Sequence, residues 1–86
     1  MASIEEVRAA VALAADKAQE AAQYQQQVTK LAEEVQALLA GAMQGTTQND
    51  AEQANGEFAQ AVSNANEVLQ LIGAGMSSIE SIGNRL

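Results

Sequence analysis

The sequence predicts an all-α chain folded as an antiparallel two-helix hairpin, coiled-coil-like, which dimerisation is expected to complete to a four-helix bundle. Three observations lead there. The chain has no proline, and its only aromatics are Tyr24 and Phe58 against an abundance of alanine and glutamine, a composition that suits long helices better than a compact mixed fold. Apolar or small residues recur at alternating spacings of three and four along two separate runs, the 3.5-residue period of a helix seam. Between the runs lies one polar, glycine-containing stretch, "AGAMQGTTQND".

The first run is Ile4, Val7, Val11, Ala14, Ala18, Ala21, Gln25, Val28, Ala32, Val35, Leu39 and Ala42, broken only by Gln25. It predicts a helix over about 4–42. Ser3 followed three residues later by Glu6 makes a capping box at its start, each side chain placed to satisfy an orphan backbone donor. Gly41 or Gly45 can close the last turn in the left-handed conformation, and Met43 favours the later exit.

The turn is expected over about 43–50. A second run follows without a gap: Ala51, Ala54, Phe58, Ala61, Ala65, Val68, Ile72, Gly75, Ile79, Ile82 and Leu86. It predicts a helix over about 51–85, with Asp50 as cap and Gln53 completing a box, or with Thr47 or Asn49 as the cap of an earlier start. Gly56, Gly73 and Gly75 make this the weaker helix, at about 1 kcal/mol each relative to alanine, and it should bend or fray first around "GAG". The glycine pair reads equally as a hinge or close crossing and as simple tolerance.

A short loop between helices of equal length makes them antiparallel neighbours. Folding about residues 46 and 47 opposes Val35 to Phe58, Leu39 to Ala54, Ala21 to Ile72, Ala18 to Gly75 and Ala14 to Ile79. Large faces small, which fills an interface without voids. Phe58 is then a principal contact whose loss to alanine should cost about 3 kcal/mol if the ring is fully buried.

Leu31 and Leu38 stand beside the first seam, and Val62, Leu69 and Met76 beside the second. These five form the expected interface with a second chain, because an 86-residue domain buries only about two-thirds of the surface its unfolded chain exposes and gains core by association. Either a homodimer or another helical protein would cover them.

Other classes of function find little support. The net charge of -7 comes from eleven acids against the scattered cations Arg8, Lys17, Lys30 and Arg85, which argues against nucleic acid and anionic membranes as partners. The longest apolar run, "AAVALAA" at 9–15, is far short of the roughly 20 residues that span a bilayer, so no membrane insertion is expected. "MASIEEVR" places acids where a signal peptide needs base; the expected location is cytoplasmic, or secreted without an N-terminal signal peptide.

With no histidine or cysteine, the usual general base, thiol nucleophile and common transition-metal ligands are missing. Glu5/Glu6 and Glu33/Glu34 are adjacent rather than three or four apart and read as solvated faces. Tyr24 and Lys17 read as edge packing. No catalytic, cofactor-binding or metal-binding residues are assigned, no small-molecule substrate is expected, and the chain is read as a non-enzyme. Gln25, polar within a seam, reads either as a residue that fixes register or as a partly exposed gap.

The whole-chain plan, an acidic chain of this length with two long antiparallel helices about a central turn, resembles the WXG family of small type VII secretion substrates. Where that family carries a central Trp-x-Gly, this chain has "MQGTTQND". Where the family carries a C-terminal tyrosine followed four residues later by an acid, it has "SSIESIGNRL". No family residue role is therefore carried over. The resemblance implies a small type VII substrate or toxin partner that dimerises and is exported as a folded helical pair. A cytoplasmic structural or assembly adaptor forming helical bundles is the alternative. Circular dichroism is expected to show well over half helix; less than half would exclude two helices of these lengths.

Overall fold

A computed structural model describes residues 2–42 and 49–86. They form two α-helices, α1 (Ile4–Ala42) and α2 (Asn49–Arg85), packed side by side as an antiparallel hairpin with no strands among the described residues. The pair makes a rod 65 × 18 × 14 Å, close to the roughly 1.5 Å per residue of a single long helix. The turn expected over about 43–50, with Gly45 as a terminating and Thr47 as a capping residue, falls mostly on residues 43–48, which lie outside the described residues.

α1 begins where its cap stands. The Glu6 amide donates to Ser3 Oγ at 3.1 Å, and the Val7 amide donates to the Ser3 carbonyl at 2.9 Å, so the serine holds the first turn by side chain and backbone together. Glu5 and Glu6 fall in that first turn, where acids oppose the positive end of the helix dipole. Gly41 does not end the helix, which continues to Ala42.

α2 starts two residues earlier than the apolar run alone indicated. Asp50 is thereby inside the first turn together with Glu52 and serves the dipole rather than standing outside as a cap. The "GAG" segment at 73–75 lies within α2, which runs through it without a break.

The hairpin register is fixed by three observations: a Cβ at Gly83 would sit 3.9 Å from Val11 Cγ1, Arg8 reaches the Leu86 carbonyl, and Gln25 reaches the Ala65 carbonyl. What differs from the expected seam is its rotational phase. Let the run of Val11, Ala18, Gln25, Ala32 and Leu39 be heptad positions a, and that of Val7, Ala14, Ala21, Val28 and Val35 be d. In α1 the a residues from Val11 on turn inward, but Ala14, Ala21 and Val28 are exposed, and the next positions, e, close the seam instead with Ala15, Ala22, Thr29 and Gln36.

α2 does the same. Ala51, Ala65, Ile72 and Ile79 hold at a, Val68, Gly75 and Ile82 at d are exposed, and Asn55, Val62, Leu69 and Met76 at e are half-buried; the expected d residues Ala54 and Ala61, like Val7 and Val35 on α1, stay half-buried in the seam. The reason is steric. The a and e positions of α1 carry alanine at 15, 18, 22 and 32, and these small residues admit the large e side chains of α2. The register brings Met76 level with Ala15 and Ala18, Leu69 with Ala22, and Val62 with Thr29 and Ala32.

The resulting interior is thin. Only Ala32 at 7% exposure and Ala65 at 4% are buried among the described residues, and no large side chain is fully enclosed. Phe58 is 37% exposed, which corrects the expectation of a fully buried anchor. Phe58→Ala is therefore expected to cost about 1 to 2 kcal/mol, to be read by denaturant titration. At Gly56 an added Cβ would meet nothing within 4 Å, so Gly56→Ala should raise stability by about 0.5 to 1 kcal/mol, seen as a higher denaturant midpoint at unchanged slope.

Candidate interaction faces

Reversing a helix reverses the order of its heptad positions around the contact line. In an antiparallel pair, same-lettered positions of both helices consequently flank the same side. The a/e seam leaves d and g of α1 and of α2 together on one side of the rod, and b and f together on the other.

The d/g side is apolar. It carries Tyr24, Val28, Leu31 and Leu38 from α1, and Val68, Leu71 and Ile82 from α2. These seven are most of the exposed large apolar side chains among the described residues, with Leu38 at 73% and Leu71 at 72% exposure. Single exposed apolar residues are ordinary on protein surfaces, whereas a contiguous apolar tract marks an interaction site. The side chains at 24, 28, 31, 35 and 38 are spaced by four and three, so they form a stripe along α1.

Of the five residues expected to make an interface, the structure leaves Leu31 and Leu38 on this outer face, more than half exposed. It places Val62, Leu69 and Met76 half-buried at the helix–helix seam. The two sets do not come together on one surface. Sequence spacing sorted both as flanking stripes; the a/e phase turns the α2 set inward and exposes Val28, Val68 and Ile82 in its place. The signal for this was present in the alanines at 15, 18, 22 and 32, which made α1 the receiving surface.

The opposite side is polar. Its b positions carry Glu5, Ala12, Gln19, Gln26 and Glu33 on α1, and Glu52, Ala59, Asn66, Gly73 and Glu80 on α2. Toward the termini a groove of about 570 Å³ opens there between the helices, lined by small residues such as Ala12, Ala15 and Gly73 and bordered by Asp16 and Glu80. Gly73 and Gly75 have open space where a Cβ would stand, so neither is needed for close approach within the hairpin.

Polar groups within the seam are few. Gln25 is half-buried, and its Nε2 donates to the Ala65 carbonyl at 3.3 Å, beside the more buried of the two enclosed alanines. Thr29 Oγ1 donates back to the Gln25 carbonyl at 3.2 Å. The glutamine thus satisfies its amide across the helices near mid-rod rather than leaving a gap. Nearer the turn, Asn55 Oδ1 is buried with no partner among the described residues.

At the open end Arg8 donates to the Leu86 carbonyl at 2.5 Å, tying the two chain ends. The ion pair Lys17–Glu20, 3.6 Å apart on α1, is largely solvated and contributes little. No three carboxylates among the described residues are grouped to hold a metal ion. Among the described residues no helix is long and apolar enough to cross a membrane.

Comparison with protein-family models, with curated proteins and with solved structures found no match to this chain.

Gln25→Leu should leave the fold intact and change stability by no more than about 1 kcal/mol in either direction, because an apolar replacement can match a buried polar pair in energy while losing its specificity. Denaturant titration measures the first effect. Faster amide exchange along α2 would report the second, a register free to slip.

Proposed function

We propose that the chain is a non-enzymatic helical protein–protein interaction module that works by recognition through its helix faces. The observation that carries this reading is the imbalance between what the hairpin encloses and what it displays. Two alanines are buried, while a tract of large apolar side chains lies open along one side. A small domain has little stability in reserve, and covering such a tract supplies both affinity for a partner and stability for the hairpin.

Within this class, a small type VII secretion substrate or toxin partner is the more specific proposal. Its support is architectural: an acidic chain whose two helices of nearly equal length fold back on each other. Partners of that kind are themselves helical, and the d/g face offers them a surface of helical period. A cytoplasmic adaptor that assembles helical bundles is the alternative.

Affinity capture from the native organism, carried out on cells and on medium and read by mass spectrometry, tests both. Export predicts the chain in the medium, and recovery of a secretion component or large toxin with it. Recovery from cells alone, with assembly proteins, would support the adaptor. A chain that captures nothing and does not self-associate would overturn helix-face recognition.

A further inference from the structure

We propose that Asn55 is a site of spontaneous, one-way modification: its side chain deamidates through attack by the Gly56 nitrogen when the first turns of α2 open, and the acidic product hinders their closing again. The proposal holds whatever partner the outer face takes.

Sequence and packing single out this residue. Of the five asparagines, at 49, 55, 64, 66 and 84, Asn55 alone is followed by glycine. Glycine sets no side chain in front of the amide nitrogen and lets the backbone turn freely toward the asparagine side chain. Packing does not require a glycine there, since Gly56 is exposed and an added Cβ would meet nothing within 4 Å. Asn55 Oδ1, meanwhile, is buried with no hydrogen-bond partner among the described residues. The closed hairpin therefore holds this amide without the bond that would stabilise it.

The place in the fold sets when the reaction runs. Asn55 and Gly56 lie in the second turn of α2, where the helix ladder occupies the Gly56 amide. Ring closure requires that ladder to open. In the register that sets Met76 level with Ala15, Leu69 with Ala22 and Val62 with Thr29, Asn55 stands level with Gln36, and both are half-buried. This layer has two amide side chains where the other three have a large apolar side chain of α2 against a smaller residue. Local opening is easiest where apolar contacts are fewest and near a helix end, and Gly56 weakens the helix further.

In the opened segment the Gly56 nitrogen attacks Asn55 Cγ. The new N–Cγ bond closes a succinimide ring, the Cγ–Nδ2 bond breaks, and the side-chain nitrogen leaves as ammonia with the proton given up by the Gly56 amide. Water then opens the ring. Attack at Cγ leaves aspartate in an unaltered main chain; attack at the main-chain carbonyl leaves isoaspartate, with the chain running through the former side chain. Nothing is oxidised or reduced, and water is the only co-reactant. Either product brings a carboxylate to a half-buried seam position where the neutral amide oxygen already lacks a donor, and burying a charge costs more than burying an amide. Isoaspartate also lengthens the backbone and interrupts the helix.

The full chain, incubated at neutral pH, tests this by fragmentation mass spectrometry, which places acid against amide residue by residue, and by enzymatic methylation of isoaspartate. Conversion is expected at Asn55 ahead of Asn49, Asn64, Asn66 and Asn84, and faster in denaturant below the unfolding midpoint. Gly56→Ala, which favours the closed helix, should slow it at least about fivefold. Asn55→Asp should lower the denaturant midpoint where Asn55→Ala does not; failure of the aspartate variant alone to fold is the extreme of the same result. An Asn55 still intact once the fully denatured chain has converted would overturn the proposal. So would earlier conversion of another asparagine, or an Asn55→Asp chain as stable as the wild type.

Discussion

The smallness of one helix face governs this structure. Along α1 four of the inward positions are alanine, at 15, 18, 22 and 32, and alanine at those levels packs closely only against side chains that bring their own volume. α2 supplies that volume with Val62, Leu69, Ile72 and Met76. The choice of partner face follows from this fit, and with it the phase of the whole seam. Once α2 turns its larger e residues inward, Val28, Val68 and Ile82 at d are left outside, and the apolar side of the rod is the consequence of a packing decision made on the inside.

That hierarchy explains what the sequence disclosed and what it hid. The existence of both helices and their antiparallel packing could be read from period and from one polar interruption, because a 3.5-residue alternation over so many turns admits no other regular structure. Ser3 likewise announced the start of α1. The rotational phase was less legible. Ala14 and Ala15, or Ala21 and Ala22, are equally good seam residues by type, so α1 by itself does not choose between a/d and a/e. The choice is made by α2, where Leu69 stands next to Val68 and Met76 next to Gly75, and is resolved only when the two helices are matched in three dimensions. The interface residues inherit the same ambiguity: Leu31 and Leu38 are outward in either phase, whereas Val62, Leu69 and Met76 change sides.

Polar groups act on specificity more than on strength here. Gln25 spans the seam with one long hydrogen bond to the Ala65 carbonyl, too weak to hold the helices together but enough to distinguish one register from its neighbours when the surrounding residues are nearly all small. Alanine against alanine slides easily. A single amide with one acceptor within reach gives such a surface a preferred position. Charge is handled by placement: nine of the eleven acids stand at b, c or f, and the two at g, Asp50 and Glu57, are matched in number by Lys17 and Arg85.

The tie between Arg8 and the Leu86 carbonyl puts both chain ends at the same end of a long, narrow rod. Tension applied between those ends acts across the helix pair rather than along it. The hairpin then opens as a zipper, first at Arg8, next where Val11 faces Gly83, then turn by turn toward Gln25, and at any moment only one contact layer resists. Pulled instead between the turn and either end, the same seam would be loaded in shear and all its layers would resist at once. The molecule is mechanically soft in one direction and stiff in the other, and which it shows depends only on where it is held.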